Sequence, residues 1–430
     1  MFPIFLLIGL VICVYNISKY NNNIMAKKTS FGDESSVLNL IDSMSCGAEV
    51  ISKAQCAQIR EFIPTGNYAL NACISGSIFK GVPTGKIITL AGDPGTGKSF
   101  LALSICRNAQ KMGYTPVYLD SEGAVDIDTV VRLGVDPNKF VLKQVSTILE
   151  TSSFISNLAD KITQSGKDEK LILVLDSLGM LSSDKEVTDT MSGNKKQDMT
   201  KQKEIRALFR VNTSVLNRLQ IPLIVCAHTY DKQDLFGGKE ISGGGGIKFS
   251  SSIMIQLSTA KLDDKGSDKI AQDKNVDVTK TGVLVTAKPA KSRFCKPIKV
   301  KFQIPFFKKP NPYVGLEQYI TWESCGIMRG KCFNEKEYDK LKDNEKAQCK
   351  SFVYKEETLY ALPKDTARTL VVTHLGGEVP LVDLLTSKVM TDELLHHLDE
   401  TVIRPLFELP TQDSNDDIDE YMGVAYDDGE

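Results

Sequence analysis

One stretch of the sequence has residue types and spacing that suit phosphate binding. The pattern GxxxxGK[ST] is complete between residues 92 and 99 and follows the apolar run KIITLA. Glycines let backbone N–H groups curl around phosphate oxygens, and the start of a following helix attracts the same anion. We predict that the lysine neutralises the β- and γ-phosphates and that the serine binds Mg²⁺. The predicted nucleotide-binding residues of this loop are Gly92, Asp93, Pro94, Gly95, Thr96, Gly97, Lys98 and Ser99.

Two further positions carry carboxylates at the ends of apolar runs. Asp176 ends the run LILVLD and is followed by Ser177. We expect Asp176 to hold Mg²⁺ through water and Ser177 to contact the γ-phosphate. Glu122 lies just past a second run, VYLD. Because ligands of an open α/β sheet bind at the carboxyl ends of its strands, Glu122 is placed to orient and deprotonate an attacking water.

A polar residue and a glycine-rich stretch follow the apolar run at residues 221–227. His228 comes directly after this run and is interpreted as a sensor of the γ-phosphate, with a structural histidine as the alternative. The glycine-rich stretch covers residues 235–246 and is typical of a flexible linker. It also carries Phe236 and Lys239, and an aromatic ring beside a cation suits single-stranded nucleic acid.

Short apolar runs alternate with helical stretches from residue 63 onward. This alternation predicts an α/β fold with a mostly parallel sheet covered on both faces by helices. The predicted strands are 86–91, 116–120, 171–176, 221–227, 252–258 and 282–288, and the predicted helices are 99–112, 126–133, 151–164, 201–219 and 246–251. Beyond residue 321 the alternation is lost. We predict a Lys/Glu-rich surface excursion at 333–357 and a small α-rich cap at 358–410.

The composition is that of an ordinary globular protein. The chain has 430 residues, 42% of them hydrophobic, and a formal net charge of −2, which excludes collagen, a coiled-coil rod and a wholly disordered chain. Nine basic and no acidic residues lie between 280 and 309, whereas eight acidic and no basic residues lie between 412 and 430. A basic band with an acidic tail suits a protein that binds a polyanion. A solvated basic face and a frayed acidic end are the alternative.

The first 24 residues and the cysteines bear on localisation. Residues 1–18 carry no charge but are marginal for a membrane span, which needs about 20 apolar residues. We interpret residues 1–24 as a hydrophobic leader outside the working protein, with Met25 as the initiator; a membrane anchor is the alternative. Ten cysteines without a CxxC pair indicate a reduced, cytoplasmic protein. The cysteines at 325, 332 and 349, with the histidine at 374, fit no standard zinc spacing.

Six stretches, taken together and in order, resemble the RecA family of recombinases, and within it the UvsX type of large tailed bacteriophages. They are GDPGTGKS, YLDSEGAVD with RLGVDP, VLDSLGML, AHTYDKQDLF, the glycine run before IKFSS, and AKPAKSRF. The resemblance runs from about residue 63 to residue 319, and LDSLG with HTYDKQ favours the UvsX type over bacterial RecA. It implies that Lys98, Ser99 and Asp176 bind the nucleotide and Mg²⁺, that Glu122 is catalytic, and that His228 is the γ-phosphate sensor.

The resemblance also implies an adenine contact and cations that act on a neighbouring subunit. Asp126 falls where an acidic residue meets adenine, whereas Thr129 stands where many relatives have a tyrosine that stacks on the base, so base selectivity is open. Lys291 and Arg293 match cations that reach the neighbour's ATP, and on an extended segment their spacing points them to the same side. The alternative for this pair is a basic surface patch. Two stretches, 184–196 and 230–245, fall where the family has its DNA-binding loops, and the predicted DNA-binding residues are Lys195, Lys196, Tyr230, Lys232, Phe236 and Lys239.

The function implied by the resemblance is ATP- and Mg²⁺-dependent DNA strand exchange on filaments formed with single-stranded DNA. The expected partners are single-stranded DNA, homologous duplex DNA, further copies of the chain, a single-strand-binding protein and a loading mediator, without stable membrane association. The alternatives are a ring helicase or motor of the same fold, and a non-catalytic mediator switched by ATP. The expected domains are the leader at 1–24, an N-terminal α-rich oligomerisation segment at 25–60, a RecA-like ATPase and DNA-binding core at 61–323, a small C-terminal domain at 324–410 and an acidic tail at 411–430.

Overall fold

The computed structural model describes residues 51, 54, 57–192, 200–231, 239–261, 282–305 and 309–409. The chain separates into two compact units, Met1–Ala57 and Gln58–Glu430. All the elements described below belong to the second unit. The leader and the acidic tail lie outside the described residues, as does most of the oligomerisation segment at 25–60. The domain boundaries given above therefore stay predictions.

A large, mostly parallel sheet organises the second unit, together with a two-stranded ribbon. The strands are β1 (Phe62–Ile63), β2 (Val82–Pro83), β3 (Ile87–Gly92), β4 (Thr115–Asp120), β5 (Val141–Gln144), β6 (Leu171–Asp176), β7 (Leu223–Asp231), β8 (Lys239–Ile241), β9 (Ile253–Lys261), β10 (Gly282–Ser292) and β11 (Val300–Pro305). Across the described part of the chain the sheet order is β11-β10-β9-β3-β7-β6-β4-β5, and β8 pairs with β7. The strands from β9 to β5 in this order are parallel, and β8, β10 and β11 pair in antiparallel fashion.

Helices cover both faces of this sheet, as the alternation predicted. They are α1 (Tyr68–Ser75), α2 (Lys98–Lys111), α3 (Ile127–Arg132), α4 (Ile148–Ser165), α5 (Asp184–Met191), α6 (Lys201–Arg218) and α7 (Gly244–Ser250). Ile88 and Leu90 of β3 belong to one hydrophobic core, whereas Ile87 and Ala91 belong to a second. Since successive side chains of a strand point to opposite faces, β3 is buried on both sides.

The observed elements match the predicted ones closely in the first half of the chain. The strand at 171–176 has the predicted bounds, whereas β7 and β10 continue four residues beyond the predicted ends at 227 and 288. Among the elements listed so far, the helices α1 and α5 and the short strands β1, β2, β5, β8 and β11 were not predicted. The α/β prediction with a mostly parallel sheet is confirmed.

The prediction of an α-rich cap at 358–410 is wrong for the first part of this range, where most of residues 358–380 form strands, whereas residues 392–407 are helical. Residues 327–380 form an antiparallel sheet in the order β13-β14-β12-β15-β16. Its strands are β12 (Ile327–Phe333), β13 (Lys350–Tyr354), β14 (Glu357–Pro363), β15 (Thr369–Val372) and β16 (Gly377–Pro380). Four helices accompany them: α8 (Trp322–Cys325), α9 (Glu335–Tyr338), α10 (Asp343–Lys346) and α11 (Asp392–Leu398). A π-helical turn at Asp399–Ile403 then leads into α12 (Arg404–Phe407).

Two observations bear on membranes and metals. No described helix combines the length and the apolar character needed to cross a bilayer. Within the described ranges, no three His, Cys, Asp or Glu side chains form a group that could hold a metal ion, so Cys325, Cys332, Cys349 and His374 do not form one. The described cysteines are free thiols.

Candidate active site

The phosphate-binding loop joins the end of β3 to the start of α2. Gly97 precedes the helix with φ of 86°, a left-handed conformation that favours glycine, and it provides no side-chain cap. Gly97 therefore offers no side-chain acceptor to the N–H groups in the first turn of this 14-residue helix. Those N–H groups can donate to a bound anion instead. At Gly92 a Cβ atom would lie 2.8 Å from the carbonyl oxygen of Leu257 in β9, so the close approach of the two strands requires glycine there.

Lys98 lies inside the loop with its ammonium group on the backbone. Its side chain is buried, and Nζ donates hydrogen bonds to the carbonyl oxygens of Gly92 at 2.9 Å and Asp93 at 3.0 Å. Burial is the main influence and lowers the pKa of Lys98, while the carboxylates of Asp176 and Glu122 act in the opposite direction. The ammonium group of Lys98 is therefore close enough to interact electrostatically with both carboxylates.

Two carboxylates stand side by side at the ends of β4 and β6. Asp120 is the register partner of Asp176. The buried Tyr118 donates a hydrogen bond from its hydroxyl to Oδ2 of Asp176 at 2.6 Å. Asp120 accepts hydrogen bonds from the backbone N–H groups of Glu122 at 3.0 Å and Gly123 at 2.9 Å. Asp120 thus shapes the turn that presents Glu122, a role that the sequence analysis missed.

Glu122, Ser177 and His228 form a hydrogen-bonded cluster. The hydroxyl of Ser177 donates to Oε1 of Glu122 at 2.6 Å, and Nε2 of His228 lies 2.9 Å from the same oxygen. Burial raises the pKa of Glu122, but the bonds from Ser177 and His228 and the charge of Lys98 outweigh it, so the pKa lies below its ordinary value. The carboxylate is therefore ionised, and His228 is the donor in this contact.

The end of β7 is tied to the phosphate-binding loop. His228 is the register partner of Gly92, the last residue of β3. The hydroxyl of Thr229 donates to the carboxylate of Asp93, and the hydroxyl of Thr96 donates to the carbonyl oxygen of Asp93 at 2.8 Å. Sequence reasoning missed Thr229, although it directly follows the predicted sensor His228. Strand β7 thus fixes the position of His228 relative to the phosphate-binding loop.

Asp126 and Thr129 are bonded to each other. Asp126 caps α3 by accepting hydrogen bonds from the backbone N–H and the hydroxyl of Thr129, both at 2.8 Å. These bonds, the backbone one first, lower the pKa of Asp126. The capping role is a sufficient structural reason for aspartate at this position. An adenine contact stays a prediction.

Lys291 and Arg293 lie away from the phosphate-binding loop of their own subunit. Lys291 is the register partner of Met254, which in turn pairs with Thr89, three residues before Gly92. The ammonium group of Lys291 donates to the carbonyl oxygens at 248 and 249, at the end of α7, at 2.8 Å and 3.2 Å. Arg293 is exposed and follows the last residue of β10.

Only the first of these two cations lies in the extended strand β10, because Arg293 follows its last residue, Ser292. The hydroxyl of Ser292 accepts hydrogen bonds from the backbone N–H groups of Phe294 at 3.3 Å and Cys295 at 3.2 Å. These bonds close a local turn of the kind that serine favours. The strand therefore ends at Ser292, one residue before Arg293. Burial lowers the pKa of Lys291, and the two cations remain close enough that the charge of Arg293 lowers it further.

The structure describes part of the predicted DNA-binding residues. Lys195, Lys196, Lys232 and Phe236 lie outside the described residues, and Lys239 begins β8. Tyr230 is 57% exposed and lines a cavity of about 490 Å³. The cavity lies between residues 178–179, the start of α6, and the region from Glu240 to Gly245.

Two cations line the same cavity and were not predicted from the sequence. They are Lys201 and Arg206, both on α6. Lys201 donates to the carbonyl oxygen of Gly179 at 3.4 Å, and its ammonium group lies 3.7 Å from Oε2 of Glu186. A Cβ atom at Gly179, which lines the cavity, would lie 3.2 Å from the ring of His228, so the cavity lies next to the Glu122 cluster. No sequence motif marks these cations, because ordinary surface lysines and arginines also occur along a helix.

Comparisons with known proteins agree with this geometry. The RecA N-terminal domain family matches residues 34–295. The chain is 31% identical over 212 residues to the recombination and repair protein of Enterobacteria phage T4, covering 49% of this chain and 52% of the relative. It is 29% identical over 232 residues to Protein RecA of Acholeplasma laidlawii, covering 54% of this chain and 67% of the relative. It is 27% identical over 231 residues to Protein RecA of Saccharopolyspora erythraea, covering 54% and 64%.

These alignments span between half and two thirds of the relatives' lengths. The family match covers more than half of this chain and contains the phosphate-binding loop, the Glu122 cluster and both cations at 291 and 293. The chain belongs to the RecA family.

Proposed function

We propose that this chain is an ATP-dependent DNA strand-exchange recombinase. It would form filaments on single-stranded DNA and pair that strand with homologous duplex in recombination, repair and recombination-dependent replication. The observation that carries the proposal is the meeting of Lys98, Asp176, Glu122 and His228 at the carboxyl ends of four parallel strands of a RecA-family chain. The relatives named above are a recombination and repair protein and RecA proteins.

The residues of the loop fit a nucleoside triphosphate with Mg²⁺. The uncapped start of α2 offers backbone N–H groups to phosphate oxygens, and Lys98 adds a positive charge. Ser99 is exposed at the first turn and would bind Mg²⁺ directly, whereas Asp176 is buried at the end of β6 and would hold the ion through water. Bound MgATP supplies the phosphoryl group whose hydrolysis drives the filament cycle.

Glu122 is the base in this proposal. Its ionised carboxylate accepts a proton from the attacking water, while Asp120 fixes the turn that carries it. Ser177 and His228 occupy the same oxygen, Oε1, and so fix the direction in which the carboxylate points. His228 joins Glu122 to β7, which continues toward the cavity lined by Tyr230. A change at the nucleotide would therefore be passed to the DNA-binding side of the sheet.

The basic turn after β10 completes the site of a neighbouring subunit in this proposal. Within one subunit, strand pairing aligns Lys291 with a position three residues before Gly92, so Lys291 lies away from that subunit's own phosphate-binding loop. Arg293 is exposed and can contact a neighbouring subunit. Cations supplied in trans to a phosphoryl transition state contribute about 10³–10⁵ in rate. Hydrolysis by the enzyme, a DNA-dependent ATPase, then waits for filament assembly.

Single-stranded DNA is the ligand we propose for the cavity on the other side of Gly179. Lys201 and Arg206 provide positive charge for phosphates, and the exposed ring of Tyr230 provides a surface on which a base stacks. Binding of this kind carries little sequence information and depends on salt through counterion release. The other proposed partners are homologous duplex DNA, a single-strand-binding protein and a loading mediator, in the cytoplasm of a host cell.

Joint-molecule formation tests this function. The full chain, ATP, Mg²⁺, a circular single strand and homologous linear duplex are incubated, and paired products are separated on a gel. We expect joints with homologous duplex only, and none with Lys98→Ala. Absence of joints under conditions where electron microscopy shows closed rings on DNA would favour the ring-helicase alternative and contradict the proposal.

A further inference from the structure

The turn that carries the exposed Arg293 is buried at its C-terminal end. Ser292 closes the turn through its hydroxyl, and Cys295 directly after it is 1% exposed. The thiol of Cys295 donates to the carbonyl oxygen of Cys73 in α1 at 3.3 Å. The backbone on the C-terminal side of Arg293 is therefore fixed against α1, while the guanidinium group itself remains free to face a partner.

The last described residues of the chain lie against this same turn. Cys295 forms an isolated antiparallel bridge with Glu408, and the backbone N–H of Lys296 donates to the carbonyl oxygen of Phe407 at 2.7 Å. Phe407 is fully buried in the core. The C-terminal helix α12 is thus part of the support of the Arg293 turn, although about 110 residues separate them in sequence.

A buried carboxylate anchors this C-terminal segment. Asp399 is 0% exposed; its Oδ2 accepts hydrogen bonds from the hydroxyl of Ser77 at 2.8 Å and from Nε of Arg404 at 2.9 Å. Its Oδ1 accepts from the backbone N–H of Ile78 at 2.8 Å. Because a fully buried carboxylate is costly without a cation and hydrogen-bond donors, Arg404 and the residues after α1 hold Asp399 in one position.

The three segments meet at Gly76, the residue that ends α1. A Cβ atom there would lie 3.2 Å from Cγ of Glu408 and 3.5 Å from Cβ of Cys295. The end of α1, the turn after β10 and helix α12 are therefore in mutual contact. A displacement of α12 is passed to the turn that carries Arg293.

We propose that the Asp399–Arg404 ion pair positions Arg293 for its action on the nucleotide of the neighbouring subunit. This inference rests on the proposed function, because it needs Arg293 to act in trans. A group that acts across a subunit interface must be held within a fraction of an ångström, and such placement depends on the residues behind it. Arg404 is a positioning residue, since it acts only through the turn.

The first test is steady-state kinetics on the full-length Arg404→Ala protein. We expect kcat for ATP hydrolysis with saturating single-stranded DNA to fall on the order of tenfold, with an unchanged KM for ATP, because the phosphate-binding loop is untouched. Arg404→Lys keeps a positive charge beside Asp399 and is expected to recover most of kcat. Arg368→Ala removes another exposed arginine of the C-terminal part and is expected to match the wild type.

The second test is a double-mutant comparison. In an Arg293→Ala background, adding Arg404→Ala is expected to cause no further loss of kcat, because the residue that it positions is absent. The same tenfold loss in both backgrounds, or a rise in KM with unchanged kcat, would overturn the inference. If Arg404→Ala does not fold, Ser77→Ala removes a different donor to Asp399 and enters the same comparison.

The action of Arg293 in trans and the positioning role of Arg404 are contradicted by different results. An Arg293→Ala protein with normal turnover would overturn both the action in trans and the positioning role. A defective Arg293→Ala protein beside a normal Arg404→Ala protein would overturn the positioning role alone.

Discussion

At the scale of single residues, we expect the ionisation of the Glu122 carboxylate to set the pH dependence of the proposed ATPase site. The hydrogen bonds from Ser177 and His228 keep its pKa below the ordinary value in spite of burial. Since hydrolysis needs the ionised base, kcat is expected to fall as the pH drops through this lowered pKa. Removing a donor destabilises the ionised form and raises the pKa. Ser177→Ala is therefore expected to move the acidic limb of the kcat profile to higher pH.

The measurement is kcat against pH at saturating ATP and single-stranded DNA. Glu122→Gln is the control, because it has no titrating base and is expected to retain nucleotide binding while losing turnover. Ser177→Ala also removes a proposed phosphate contact and is expected to lower kcat at every pH. The pH at which kcat falls, not the maximal value of kcat, therefore reports the hydrogen bond from Ser177 to Glu122. If kcat of Ser177→Ala falls at the same pH as kcat of the wild type, or at a lower pH, the hydrogen bond from Ser177 does not stabilise the ionised Glu122.

The residues of the site differ in how far the sequence reveals them. Lys98 belongs to a complete motif, and Asp176, Glu122 and His228 each stand just after an apolar run, so parallel strands bring them to one edge. Asp120 also ends such a run, yet its contact with the turn at Glu122 depends on the backbone conformation of residues 120–123. Such short-range bonds leave no periodic pattern in the sequence.

At the scale of elements, helix α6 and strand β7 build the cavity that we assign to single-stranded DNA. Arg206 lines this cavity, whereas Arg210 is exposed one turn further along the same helix and does not line it. Arg206→Ala is expected to weaken binding of single-stranded DNA and to reduce the slope of log K against log[salt] by about 0.7, the share of one phosphate contact on a single strand. Arg210→Ala is the matched control.

Fluorescence anisotropy with a labelled oligonucleotide at several salt concentrations measures this slope. The ATP analogue is kept non-hydrolysable, so that turnover does not change the bound state. An equal change in both variants would indicate a general effect of net charge. If Arg206→Ala binds single-stranded DNA with the same salt dependence as the wild type, Arg206 does not contact a DNA phosphate.

The C-terminal sheet shows why some elements escaped sequence reasoning. None of the residues of β13 is fully buried, the strands of this sheet are short, and the segment at 335–346 that precedes β13 is rich in lysines and glutamates. Apolar periodicity is weak in such strands, because only part of each contributes to a core. Side-chain pairs stabilise this region instead, such as the stacked rings of Tyr338 and Tyr360 at 3.8 Å. Those pairs join residues far apart in sequence and are not visible in a local pattern.

At the scale of the whole molecule, the two parts of the proposed site lie toward opposite ends of the strands of the large sheet. The phosphate-binding loop lies at the carboxyl end of β3, whereas Lys291 in β10 is aligned with residues nearer the start of β3. The ammonium group of Lys291 is engaged with the end of α7 in the isolated chain. In the proposed filament, a head-to-tail interface would bring the basic turn of one subunit to the loop of the next, because such an interface joins two different surfaces. If this proposal is right, a single chain carries both the phosphate-binding loop and the cations, but they form a complete site only between neighbouring subunits.

This division predicts recovery of activity when two inactive proteins are mixed. Arg293→Ala has an intact loop but lacks a cation, whereas Lys98→Ala has intact cations but lacks the loop lysine. In a random filament of equal parts, about a quarter of the interfaces join an intact loop to an intact Arg293, so DNA-stimulated ATPase is expected to reach about a quarter of the wild-type rate. The control mixes Arg293→Ala with the double variant Lys98→Ala/Arg293→Ala, in which no subunit supplies the cation. Recovery in both mixtures would mean that the cation is not needed in trans. Mixed filaments that are visible by electron microscopy but as inactive as either variant alone would place Arg293 outside the neighbour's site.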